Sequence, residues 1–181
     1  HIEVASESRY RNSIILDNTL FITISQSGET ADTLEALKAV KKLSKGKNIH
    51  TLTICNSAES SLTRISELTF LTHAGPEIGV ASTKAFTTQL VSLALLSVAI
   101  GRCHNQVSSA QEAKIVDGLK RLPGLIKKTL EQEGQIKELA KTFKDKFNAL
   151  FLGRGPMHAI AMEGALKLKE ISYIHAEAFP A

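Results

Sequence analysis

The sequence predicts an α/β fold built on a doubly wound parallel sheet. Three observations predict it. Short, β-rich apolar runs recur at residues 20–24, 49–55 and 149–152. Segments with helical apolar spacing fall between them. Small polar or glycine-rich stretches follow the runs directly, at 25–28, 56–57 and 153–156. A run that is apolar throughout suits a strand buried on both faces, and such strands lie in parallel sheets covered by helices. Alternating strands and helices connect by right-handed crossovers. Sheets of this kind bind ligands in the crevice at the carboxyl ends of their strands.

Taken in order, the run at 20–24 is a strand that ends in Ser25-Gln26-Ser27-Gly28. Residues 30–44 form a helix whose stripe is Leu34, Leu37, Val40 and Leu43. The second strand, 49–55, is followed by a short helix and a weaker strand at 68–72. Residues 82–102 form a helix that is apolar on most sides. Its central run, 86–100, reads as a buried core helix, because it holds Thr87, Thr88, Gln89 and Ser92 and falls short of the roughly 20 apolar residues of a membrane span. Residues 110–130 are amphipathic, with a break or kink expected at Pro123-Gly124. A shorter helix covers 136–146. The strand at 149–152 is followed by a helix over 158–171. The helices between 99 and 145 carry no loop after a strand, so they read as a link between two similar α/β units.

With 181 residues, 43% hydrophobic and 22% charged, the composition is that of a globular domain, or of one domain and part of another. The net charge of +4 is spread over helix ends, at Lys38, Lys41, Lys42, Lys45 and Lys47 and again at Lys141, Lys144 and Lys146. Cations there complement the helix dipole. No aromatic residues interleave with these lysines, so a nucleic-acid partner is not expected. Cys55 and Cys103 form no C-x-x-C pair, which argues against a disulfide framework or zinc site and fits a reducing cytoplasm. The first residues show no charged segment leading into an apolar run, so neither signal peptide nor membrane partner is expected.

Three clusters carry chemistry. Ser25-Gln26-Ser27-Gly28-Glu29-Thr30 follows the first strand and opens a helix. Hydroxyls gathered over unpaired helix N–H groups make an anion site, and Gly28 permits close backbone approach. Neither G-x-x-x-x-G-K-[ST] nor G-x-G-x-x-G is present. Neutral donors suit the phosphomonoester of a sugar better than a triphosphate with magnesium. The alternative is a helix cap in a polar turn. Gly75 to Lys84 is a loop in which Ser82 or Thr83 can cap the long helix, and on spacing alone the cap is the better reading. Glu163, Lys167 and Glu170 share one helix face. As a surface ladder they are worth a few tenths of a kcal/mol. At a crevice, Glu170 could move a proton while Lys167 biases its pKa downward. The bare pattern favours the ladder.

Read together, residues 21–33, 77–87, 151–155 and 163–178 resemble one family, the isomerase half of the glucosamine-6-phosphate synthases (glutamine:fructose-6-phosphate amidotransferases). The resemblance is poorest over residues 101–145. It implies an SIS-type, flavodoxin-like three-layer αβα sandwich. Ser25, Gln26, Ser27 and Thr30 match residues that hold the sugar phosphate, and Val80 and Ser82 match residues lining the sugar. Glu170 matches the base that carries a proton between C1 and C2, and Lys167 its supporting lysine. The resemblance further implies turnover of fructose 6-phosphate and glutamine to glucosamine 6-phosphate without metal or organic cofactor. The implied partners are a glutaminase domain in the same longer chain and a second copy in a homodimer.

Against the family pattern, residues 1–105 correspond to most of a first SIS subdomain, 106–146 to a helical connection and 147–181 to the start of a second. A Cys-Gly-Thr-Ser loop, a ring-opening histidine and a Schiff-base lysine have no counterpart, so the chain is expected to be a piece that binds sugar phosphate without turning it over. Two rivals are a sugar-phosphate sensor and a single-unit aldose–ketose isomerase. The first has no use for a carboxylate at position 170, and the second none for another strand–Gly-x-Gly–helix unit.

Overall fold

The computed structural model describes residues 1–8, 10–11 and 14–181. The chain divides into two compact units, His1–Glu112 and Ala113–Ala181. The N-terminal unit runs α1 (Ala5–Ser8), β1 (Thr19–Ser25), α2 (Ala31–Leu43), β2 (Ile49–Cys55), α3 (Ser61–Ile65), β3 (Leu68–Leu71) and α4 (Lys84–Cys103). Its three strands form one parallel sheet in the order β1-β2-β3. Ser25 pairs with Cys55 and Cys55 with Leu71, so the three carboxyl ends stand side by side.

Central β2 is the strand for which burial on both faces holds, with only His50 exposed. Its Ile54 and Cys55 are fully buried, as are Leu37 of α2 and Leu62 of α3. The polar members of the strands are satisfied in pairs. Thr23 and Thr53 hydroxyls bond at 2.6 Å, Thr53 also meets Ser66 Oγ at 2.5 Å, and Thr51 Oγ1 accepts the Glu67 N–H at 3.0 Å. The buried stripe of α2 is Thr33, Ala36, Leu37 and Val40, so Leu37 and Val40 of the expected stripe are buried while Leu34 and Leu43 are not. Steps of three residues drift about 60° each around a helix. Leu43 is therefore carried out to solvent, and two small residues complete the stripe.

Helix α4 differs from expectation more sharply. Only Ala85 and Ser92 are buried, and Leu90, Leu95 and Ile100 lie open. A three-stranded sheet covers one side of a 20-residue helix and no more. By length and composition alone, with a mean hydropathy of 1.4, α4 is long and apolar enough to cross a membrane.

Helix α5 (Ser109–Leu130) begins in the first unit and ends in the second. It runs through Pro123 without the expected break. Proline removes one N–H and crowds one carbonyl, and no residue of α5 is buried, so the freed carbonyl can turn to solvent. In the C-terminal unit, α6 (Glu133–Lys141) ends before the predicted 146. Then come β4 (Asn148–Gly153), α7 (Pro156–Ser172) and β5 (His175–Pro180). β4 and β5 pair in parallel, from Asn148↔His175 to Gly153↔Pro180, with α7 as the crossover. β5 was not anticipated. β4 alternates instead of being buried throughout, with Leu150 68% and Leu152 65% exposed. Gly164 permits close packing of α7, because a Cβ there would stand 2.9 Å from the Phe151 ring. The buried apolar residues of this unit are Ala161, Ala165 and Ala176.

Candidate functional site

The first cluster sits where β1 hands over to α2. Ser25 Oγ accepts the Gly28 N–H at 3.0 Å and shares a hydrogen bond with Thr30 Oγ1 at 3.0 Å. Ser27 Oγ accepts from the Glu29 N–H at 3.1 Å. Thr30 is the N-terminal cap residue of α2, yet its hydroxyl makes no cap bond. The first helical bond runs from Leu34 N–H to the Thr30 carbonyl. The positive end of the α2 dipole thus faces the loop uncapped by Thr30, with hydroxyls around it. The close approach at Gly28 (φ +70°) is to the neighbouring loop, since a Cβ there would lie 2.1 Å from Ser60 Oγ.

A carboxylate beside an anion site would oppose it, but Glu29 is committed elsewhere. It accepts the Ser61 N–H at 2.7 Å, at the start of α3. Hydrogen bonds from Ser61 outweigh the cost of burial, with help from the charge of Arg64, and hold Glu29 below the usual carboxylate range.

The second cluster leaves β3. Asn56 Oδ1 accepts from Thr72 Oγ1 at 3.2 Å and from Ala74 N–H at 2.8 Å, and Nδ2 donates to the Gly75 carbonyl at 2.8 Å. At the far end of the loop, neither Ser82 nor Thr83 caps α4 as the sequence suggested. Glu77 does. It accepts from the N–H groups of Thr83 at 2.8 Å and Ala85 at 3.3 Å, and from Ser82 Oγ at 3.2 Å. The Thr83 bond is the chief reason that Glu77 also lies below the usual carboxylate range, with Lys84 adding a favourable charge. Between these anchors, Ile78 and Val80 point fully into solvent.

The third cluster lies on α7 in the C-terminal unit. Lys167 Nζ donates to Glu170 Oε2 at 2.5 Å and stands 3.5 Å from Glu163 Oε1. The three side chains are 22%, 39% and 23% exposed, respectively. The hydrogen bond to Glu170 raises the Lys167 pKa above its ordinary value, against a smaller desolvation effect. A protonated Lys167 therefore faces both carboxylates at neutral pH.

Each unit thus gathers its own set: Ser25, Ser27 and Thr30 in one, Lys167 and Glu170 in the other. The sequence reading missed Asn56 and Glu77 in their holding roles. Only Asn56 left a trace, as a polar residue directly after an apolar strand. It also missed His158, whose Nδ1 is buried and unpaired. His158, Met162, Lys169 and Phe179 line a shallow hollow of about 320 Å³ between α7 and β5. Among the described residues no group of three or more His, Cys, Asp or Glu is arranged to hold a metal.

Residues 1–99 match the SIS domain family model. The chain is 56% identical to the glutamine–fructose-6-phosphate aminotransferase (isomerizing) of Pseudomonas putida over 180 residues, 99% of this chain and 29% of that protein. It thus spans under a third of the length of the curated relatives it matches. Among solved structures it is similar to the C-terminal domain of glucosamine-fructose-6-phosphate aminotransferase from Francisella tularensis, with TM-score 0.93 and 51% identity over 99% of this chain and 50% of that one. It is also similar to a glucosamine-6-phosphate deaminase from Thermotoga maritima, with TM-score 0.72 and 25% identity over 98% of this chain and 50% of that one.

Proposed function

The chain belongs to the SIS-domain family, and on that premise we propose that it is a large part of the isomerase module of a glutamine–fructose-6-phosphate aminotransferase. The observation that carries this reading is the Ser25–Ser27–Thr30 hydroxyl cluster at the mouth of α2, a neutral donor set for a phosphomonoester. The 56% identity to an aminotransferase of that name supports fructose 6-phosphate as the ligand.

In the proposed reaction, ammonia released from glutamine by another domain of the longer protein adds to the C2 carbonyl, and water leaves to give an imine. Glu170 then takes a proton from C1 and returns it to C2, so that the imine becomes the 2-amino aldose. Lys167, held protonated by the carboxylates beside it, donates to Glu170 and orients it for the proton transfer. Ser25, Gln26, Ser27 and Thr30 hold the phosphate, and Val80 and Ser82 line the sugar. Residues 147–181 form the start of a second SIS unit. The longer protein acts in the cytoplasm as a homodimer.

The test is a titration of the 181-residue chain with fructose 6-phosphate, followed by amide NMR. Shifts should centre on residues 25–31. Shifts confined to the lysines at the end of α2 would overturn the phosphate assignment. The same chain given fructose 6-phosphate and ammonia should form no glucosamine 6-phosphate, because ring opening and Schiff-base formation need groups it does not supply. Turnover would show those roles to be misassigned.

A further inference from the structure

Two loops at the sheet edge are tied together by one residue that the catalytic reading does not use. Asn56 follows Cys55 at the carboxyl end of central β2 and is half-buried. Its backbone N–H donates to the Gln26 carbonyl at 3.1 Å, inside the proposed phosphate loop. Its side chain reaches the other way, onto residues 72–75. There the chain must turn sharply, with His73 at φ 51° and Gly75 at φ 70°. A non-glycine residue in the left-handed region is held there by its surroundings. The carboxamide gives two acceptor bonds at Oδ1 and one donor bond at Nδ2, a combination that neither a carboxylate nor an apolar side chain supplies. Two residues past Gly75, Glu77 fixes the loop again by its bonds to Ser82, Thr83 and Ala85.

We infer that Asn56 is a positioning residue that sets the Glu77–Ser82 loop over the sugar of the ligand, independently of the phosphate contacts. This rests on the substrate reading above. The two halves of the ligand then depend on different atoms of one residue. The phosphate loop uses the Asn56 backbone, which survives substitution. The sugar loop uses the Asn56 side chain, which does not.

The test compares two probes, fructose 6-phosphate and inorganic phosphate, on the whole 181-residue chain carrying Asn56→Ala or Asn56→Asp. Affinities come from amide shifts at residues 28–31, and folding from thermal melting. Asn56→Ala should weaken fructose 6-phosphate roughly tenfold, as expected when hydrogen bonds that order a loop are lost. Inorganic phosphate should change by less than about twofold. Asn56→Asp keeps the two Oδ1 acceptors but sets a carboxylate oxygen against the Gly75 carbonyl. It should show the same selectivity, and it decides the question if Asn56→Ala does not fold. Unchanged fructose 6-phosphate affinity in a folded variant would overturn the inference. Equal loss of both probes would also overturn it, making Asn56 a general prop of the sheet edge. Failure of the unsubstituted chain to bind either probe would sink the substrate reading itself, and the inference with it.

Discussion

Glu29 and Glu77 hold the loops that follow β1 and β3 by the same physics. Each carboxylate accepts backbone N–H groups at a helix start, Glu29 at Ser61 and Glu77 at Thr83 and Ala85. Each is therefore held below its ordinary pKa. A carboxylate with a depressed folded-state pKa contributes stability above its unfolded pKa of about 4.3 and loses it as pH falls through the folded value. Melting temperature should accordingly drop on acidification below about pH 4.5, and less so in Glu77→Gln. A Glu77→Gln chain that tracks the unsubstituted one through this range would remove Glu77 from that role. Gly28→Ala should cost more than about 1 kcal/mol, because it combines φ +70° with a Cβ placed on Ser60. Equilibrium urea unfolding measures this. If the proposed function holds, Glu170→Gln in a whole aminotransferase carrying these residues should lower kcat by about 10²–10⁴-fold, with fructose 6-phosphate binding largely retained. Glu163→Gln is the control, and equal mild effects would leave only a surface ladder. The side-chain clusters at this scale are legible where they are local, as in Ser25 to Thr30 and in the i, i+3 and i, i+4 spacing around Lys167. The holding roles of Asn56 and Glu77 are not, because their partners lie across a loop or beyond another strand, where no periodicity reports them.

Elements defined by strong local pattern were read within a residue or two. β2 coincides with its apolar run, and α2 with the span between Thr30 and Ser44. The differences have physical causes. β5 was missed because His175-Ala176-Glu177-Ala178 has little β-propensity. It is a strand because the αL residue Tyr173 ends α7 and returns the chain beside β4. α4 reads as a buried helix in the sequence because apolar composition does not say whether a covering surface exists. α5 tells the opposite story, since its composition warned of a break that does not occur. Proline within a helix is unfavourable by about 3 kcal/mol relative to alanine. Because Pro123 is exposed and α5 buries nothing, Pro123→Ala should recover a good part of that with no loss of packing. The readouts are a higher melting temperature and more helical circular dichroism. Unchanged helicity together with lower stability would mean that Pro123 is needed for a bend.

The two units differ in what they can bury, and their stabilities should differ with it. The N-terminal unit buries Leu37, Val40, Ile49, Leu52, Ile54 and Leu62 around β2, together with Ala36, Cys55 and Ala85. The C-terminal unit buries Ala161, Ala165 and Ala176, while Leu150, Leu152 and Phe147 stay open. Full burial of a leucine or isoleucine stabilises by about 1.5–3 kcal/mol, and a methylene by about 0.8 kcal/mol. An alanine contributes one methyl group, so three of them offset little of the roughly 1–2 kcal/mol that each ordered residue costs in backbone entropy. Backbone pairing along β4 and β5 is complete in register, but hydrogen bonds contribute only about 1 kcal/mol each once exchange with water is counted. The C-terminal unit should therefore open first. Native-state hydrogen exchange reads this directly, because amides report the free energy of the opening that exposes them. Amides of Leu52 and Ile54 should exchange only through the largest openings, and those of Ala149, Phe151 and Ala178 through smaller ones. Low urea should speed exchange of the second set before the first. Equal protection in both sets would mean that the 181 residues unfold as one cooperative body. Covering β4 and β5 with further chain should raise protection at Ala149 and Phe151 and leave Leu52 and Ile54 unchanged. That contrast separates a unit completed by its neighbours from one that is weak in itself.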